Sequence, residues 1–256
     1  MNECLSRAAT ALGGVMQAEL SAEAQRWFLA ALARDPLNVE ALTGLARTCQ
    51  HLVSQPWWGG DSRAVSMAFD LGSEAVALAP GNARAKYAQG MLCSAAGQLQ
   101  EAAQAFQQAL AMDPGLGIVD GFAGYNEAFL GRAGETLPAI ERAMRLNLTD
   151  RRQSIFFFGG FAELLLGRTE AAIALLHKSL ERNPSYGATQ LFLIAALSLI
   201  GRRSEAARMA ASFREQYPEY RASTLEQQWL WRSTSATYRA QIHPLLERIR
   251  TLGVAA

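Results

Sequence analysis

Small, large, small and proline residues recur along this chain of 256 residues at a spacing near 34. The series runs Ala24, Phe28, Ala31, Pro36, then Ala102, Phe106, Ala109, Pro114. It continues as Ala172, Leu176, Ser179, Pro184 and as Ala206, Ala210, Phe213, Pro218. Residues three and four apart share one face of a helix, so the spacing inside each block predicts helices. A repeat of this length predicts helix pairs, each with a face it cannot bury alone, so the pairs must stack. The expected fold is all-α, with a core that grows along one axis.

Alignment on the terminal prolines divides residues 1–220 into six units, 5–38, 39–82, 83–116, 117–152, 153–186 and 187–220. The unit at 83–116 is the cleanest. Unit two is lengthened around 54–61, and unit four carries Leu148 in place of proline. Gly97, Gly131, Gly167 and Gly201 mark the turn inside a pair, and Asp113-Pro114 and Asn183-Pro184 end a unit. Glu101, Glu135, Glu170 and Glu205 fall early in second helices, where they complement the helix dipole. Residues 221–256 do not fit the repeat and are expected to cap the open end or to act as an interaction arm. Pro244 is expected to begin the last helix, with Leu245, Leu246 and Ile249 on its apolar face.

The formal net charge of +1 provides no field that would gather nucleic acid or an acidic membrane. Arginine outnumbers lysine 22 to 2, which fits the codon bias of a GC-rich bacterial genome better than a phosphate-binding device. Cys4, Cys49 and Cys93 are an odd number at long spacing, so neither a disulfide framework nor a zinc set follows, and a reducing, cytoplasmic setting fits. No run approaches the roughly 18 apolar residues of a membrane span. The stretch after Arg7 reads as helix rather than leader, since Glu3 precedes it and helical spacing continues.

The pattern resembles the tetratricopeptide repeat (TPR) family over nearly the whole chain. That resemblance implies a right-handed superhelical solenoid of about six TPR helix pairs with a C-terminal capping helix. More narrowly, the chain is similar to bacterial TPR regions found C-terminal to class III nucleotide cyclase or winged-helix regulator domains. This second likeness rests on the insert Trp57-Trp58-Gly59-Gly60, the stretch 75–80, the stretch 141–147 and the phenylalanine-rich start of unit five. No cyclase or DNA-binding domain is present in these residues, so no cyclase activity is carried over.

First helices of successive TPR units line the concave side. With about 100° per residue, the outward positions of unit three present Tyr87 and Met91, and those of unit four present Tyr125 and Phe129 with Phe122 nearby. Unit five presents Phe157 and Phe161, with Phe158 at the rim. This apolar stripe suits an extended or helical peptide with hydrophobic anchors. The alternative is that the same residues pack internally, or that the C-terminal segment with Leu225, Trp229 and Trp231 fills the groove. The family's carboxylate clamp needs Lys and Asn at fifth and ninth positions. Here those positions hold Ala9, Thr43, Tyr87, Gly121, Phe157 and Leu191, then Gly13, Arg47, Met91, Tyr125, Phe161 and Ala195, so that clamp is absent. Trp57 and Trp58 form a second candidate surface, or else cover helix ends.

Nothing points to catalysis. His51, His177 and His243 lie in three different regions, away from metal-ligand spacing. No phosphate loop or nucleophile elbow occurs. The expectation is a non-catalytic scaffold for a protein or peptide, without cofactor, metal, nucleic acid or membrane, as a monomer or homodimer. Two alternatives remain: a detached regulatory module acting in trans, and a self-associating structural protein.

Overall fold

The computed structural model describes residues 2–13, 18–54, 70–71, 73–146 and 153–254, with the side chains of 12, 13, 18 and 49–54 left aside. Trp57, Trp58 and their loop therefore lie outside the described residues, as do the side chains of Cys49 and His51. Every regular element among the described residues is helical. Helices α1 (Asn2–Gly13) and α2 (Ala18–Leu32) form the first pair. α3 (Val39–Ser54) and α4 (73–78) follow, then α5 (Ala83–Ala95) with α6 (Leu99–Met112). α7 (Gly117–Phe129) precedes α8 (Ala133–Arg145), and α9 (Gln153–Leu165) precedes α10 (Thr169–Arg182). α11 (Gly187–Leu199) and α12 (Arg203–Gln216) complete the pairs, and α13 (Ala222–Trp229) and α14 (Ala236–Thr251) end the chain. The protein is an all-α helical solenoid in its architecture, with two compact units, Met1–Phe122 and Ala123–Ala256.

The turns inside pairs share one hydrogen-bond pattern. After α5, the Gly97 N–H bonds to the Ser94 carbonyl and the Gln98 N–H to the Cys93 carbonyl, while Gly97 has φ of 76°. The same closure recurs at Gly131, where Arg132 reaches the Glu127 carbonyl and φ is 83°. This is a Schellman cap, and only glycine enters that left-handed geometry without a Cβ penalty. Between pairs, short polar side chains start the next helix. The Asn82 Oδ1 accepts from the N–H groups of Arg84 and Ala85, and the Asp113 Oδ1 accepts from Gly115.

The core follows from close approach within each pair. A Cβ added at Gly90 would lie 2.6 Å from the Phe106 ring, and one at Gly160 would lie 2.8 Å from Leu176 Cγ. At Gly124 it would meet the Ala139 Cβ at 2.8 Å and the Thr136 carbonyl at 3.1 Å. Thr136 Oγ1 in turn donates to the Gly124 carbonyl. Ser179 takes the place that alanine holds in other units and is fully buried. It is satisfied by donating to the Gln153 carbonyl and by pairing with the Thr189 hydroxyl, which ties α10 to both flanking first helices. In the first unit Cys4, Ala8, Ala24, Phe28, Ala31 and Leu45 form one cluster, in which small residues let α1, α2 and α3 meet closely.

The C-terminal region departs from expectation at one point. α14 begins at Ala236, not at Pro244, because Ser235 caps it by accepting from the Tyr238 N–H and because Tyr238 is buried two residues into the helix. Pro244 and Ala240 both face solvent, so water can take the carbonyl that the proline leaves unbonded. Leu245, Leu246 and Ile249 are buried as one face.

Gly124→Val is expected to destabilise the chain by about 2–3 kcal/mol, since neither the Ala139 methyl nor the Thr136 backbone can rotate away. Gly134→Ala, in a helix and with open space around the new Cβ, is expected to add about 0.5–1 kcal/mol. Urea unfolding followed by circular dichroism measures both.

Candidate functional site

The sequence-predicted stripe divides between the two units. In the first, Tyr87 and Met91 are buried in α5 and Phe122 is partly exposed. Tyr87 meets the Phe122 ring edge-on at 5.7 Å and the Phe106 ring at 6.3 Å, and the Arg47 guanidinium lies 5.7 Å from its centre. Tyr87 and Met91 are thus core residues here, covered by α3 and α6 neighbours, rather than an open groove lining.

In the second unit the structure brings Tyr125, Phe129, Phe157 and Phe161 into one aromatic group. Phe157 and Phe161 are one helical turn apart on α9 and face the same way. Tyr125 on α7 stacks on Phe158 at 4.2 Å and meets Phe129, Phe157 and Phe161 edge-on. Phe192 of α11 extends the group, 4.9 Å from Phe161. All of these come from first helices, as the repeat register predicted.

The group is not open. Trp229, at the end of α13, is 2% exposed and sits among four of these rings. Its ring is 4.6 Å from Phe192 and 5.4 Å from Phe161, with Phe157 at 6.2 Å and Phe129 at 6.4 Å. Of the two readings left by the sequence, filling by the C-terminal segment describes this face. Phe129, Phe157 and Phe161 are buried beneath Trp229, and of the stripe in this unit only Tyr125 keeps partial exposure. The physical reason is area: an aromatic stripe of this width is costly to leave in water, and one indole removes four rings from it.

Polar contacts pin the inserted segment. The Ser233 hydroxyl donates to the Phe129 carbonyl, and the Tyr238 hydroxyl donates 2.7 Å to the Trp229 carbonyl. Arg239 Nε donates to the Ser233 carbonyl. α14 packs on α9 and α11, and Arg214 of α12 donates to the Leu252 and Gly253 carbonyls beyond α14. At Gly131 a Cβ would collide with the Ser235 hydroxyl, so the cap glycine of α7 also makes room for the segment. The sequence marks Trp229 as an aromatic of the C-terminal segment, whereas Ser233, Arg232 and Tyr238 lie outside the repeat and carry no positional signal.

Burial pushes the phenols of Tyr125, Tyr220 and Tyr238 above the ordinary tyrosine range and that of Tyr217 up to about 12. Burial, with a smaller contribution from the Glu101 carboxylate, also raises the Cys93 thiol. Among the described residues no group of three His, Cys, Asp or Glu side chains is placed to hold a metal ion, and no helix is long and apolar enough to cross a membrane.

Residues 83–116 match the family profile described as "Tetratricopeptide repeat". That unit is a tetratricopeptide repeat, and the helix pairs on either side of it share its helix–turn–helix build. Solved structures resemble the chain in fold. A thermophilic TPR protein of Thermus thermophilus, TTC0263, superposes with a TM-score of 0.56 at 23% identity, covering 70% of this chain and 92% of that one. PilW, a widely conserved type IV pilus biogenesis factor, gives 0.57 at 19% identity over 81% of this chain and 97% of its own. The human IFIT1 dimer with m7Gppp-AAAA gives 0.65 at 16% identity, over 91% of this chain and 55% of the IFIT1 chain. No curated protein matches the chain.

Trp229→Ala is expected to cost about 3–5 kcal/mol, against within about 0.5 kcal/mol for Trp231→Ala, whose ring is 50% exposed. Chemical denaturation of both variants decides this. The raised phenols set a second expectation. An unfolded tyrosine ionises near pH 10, while the folded chain keeps its phenols protonated, so above about pH 10 the unfolded state sheds protons that the folded state retains. Stability should therefore hold up to about pH 10 and fall above it. Absorbance at 295 nm should show the buried phenols ionising together with loss of helical circular dichroism.

Proposed function

We propose that this chain is a non-catalytic scaffold that holds a peptide or protein segment against the first-helix face of its repeats. The observation that carries the proposal is the seating of Trp229. The first-helix face of the second unit accepts a helical segment with an aromatic anchor, which is how a grooved repeat surface takes a peptide. The chain's own segment occupies the deep part of that face, and the partner contacts what remains accessible around Tyr125. Aromatic rings held rigidly by their neighbours lose little entropy on binding, which favours them as anchors. The free thiols of Cys4 and Cys93 agree with a reducing, cytoplasmic setting.

Site-specific photo-crosslinking in the native cell tests this. A benzophenone amino acid at position 125 should link to another polypeptide. The same amino acid at exposed position 170, on a second helix, should not. Equal labelling at both positions, or none at 125, would remove the first-helix face from consideration.

A further inference from the structure

The turn after α13 carries a charge that the fold does not pair. Arg232 is 8% exposed, and its Nε is fully shielded from solvent without a hydrogen-bond partner. Among the described residues its guanidinium makes no ion pair and no hydrogen bond. Its one close contact of note is the Phe129 ring, 5.7 Å from the guanidinium carbon. Other arginines of this unit are spent on partners: Arg214 on the Leu252 and Gly253 carbonyls, Arg239 on Ser233, and Arg250 on Glu247. An Nε–H shut off from solvent without a hydrogen-bond partner is costly to hold, and a cation–π contact offsets only part of that cost.

The position is nonetheless held firmly. Residues on either side of Arg232 are anchored by the Tyr238–Trp229 and Ser233–Phe129 hydrogen bonds, so the backbone cannot swing the side chain into water without undoing the Trp229 insertion. The neighbouring phenols cannot neutralise it, because burial keeps Tyr125 and Tyr238 protonated. Tyr125 also holds a hydroxyl without a hydrogen-bond partner among the described residues, on a partly exposed side chain whose ring lies 4.9 Å from Phe129. Two unspent donors, one of them cationic, thus border the same phenylalanine.

We propose that Arg232 and the Tyr125 hydroxyl receive a carboxylate carried by the peptide that binds this face. The proposal rests on the scaffold reading given above and specifies the chemistry of its partner. A guanidinium edge matches a carboxylate in shape and balances its single charge. A dianionic phosphate would leave one charge uncompensated in the same apolar surroundings. The arrangement is distinct from the clamp whose Lys and Asn positions are absent from this sequence, because its cation comes from outside the repeats. The carboxylate can be a peptide C-terminus or an Asp or Glu side chain, and apolar neighbours of that group would meet the surrounding rings.

Two probes on the full chain test this and keep it separable from the scaffold reading. The first is sodium benzoate against neutral benzamide at equal ionic strength, read as the melting temperature. Benzoate should raise the melting temperature of the wild type, less so for Tyr125→Phe and not at all for Arg232→Met. Arg232→Met itself should melt no lower than the wild type, since it removes an unpaired buried charge. Arg232→Lys, which keeps charge but not the planar fork, should retain a reduced response and preserves the test if the methionine variant does not fold. The second probe is a set of random octapeptides in three forms: acid-free with a free C-terminus, amidated with one Glu, and amidated and acid-free. One or both carboxylate forms should bind at least about tenfold tighter than the acid-free amide, and which form does so identifies the source. That preference should vanish in Arg232→Met. Equal binding of all three forms would overturn the carboxylate site while leaving the scaffold standing. An Arg232-dependent benzoate response without any peptide binding would support the site and overturn the scaffold. A benzoate response undiminished in Arg232→Met would overturn the site outright.

Discussion

Three of the helix pairs depend on one close approach, that of the second helix to a glycine on the first. At Gly90, Gly124 and Gly160 a methyl group would strike Phe106, Ala139 and Leu176. The interhelical distance this allows lets alanines such as Ala102 and Ala172 be fully buried with little side-chain volume. Inside these pairs the glycine face is filled by one side chain of the second helix. The aromatic residues of α7, α9 and α11 are therefore available to line a continuous surface instead of being used up inside each pair.

That surface then has to be covered. Four phenylalanines from three first helices would leave a wide apolar area in water, and the chain covers it with Trp229. The covering segment is not a loose strap. It is hydrogen-bonded to the Phe129 carbonyl and to its own Tyr238, and α14 lies along α9 and α11 behind it. The same insertion carries Arg232 into apolar surroundings. The anchor that closes the face thus also carries in an arginine that the fold does not pair.

Much of the architecture was legible because it is local. Helix spacing, the cap glycines at 97 and 131 and the Asn and Asp turns depend on residues within five positions of one another, and each formed as its residue types require. The register also puts Tyr125, Phe129, Phe157 and Phe161 on first helices, and their rings meet in the structure. What it could not read was their exposure, because that depends on a segment 68 to 104 residues further on, as the Trp229–Phe161 and Ser233–Phe129 contacts show. The start of α14 was misplaced for a similar reason. Proline is a strong local signal for a helix start, yet Ser235 and the buried Tyr238 outweighed it.

The amino-acid sequence alone determined the helix pairs, their order, their turns and which residues share the first-helix face, since all of these follow from periodicity and short-range backbone chemistry. The tertiary structure decided whether that face stands open, which residue closes it and where a charge is left unpaired. Those outcomes depend on non-local packing: the free energy gained by burying one indole among four rings is large enough to carry an arginine in with it, and no repeat position encodes that.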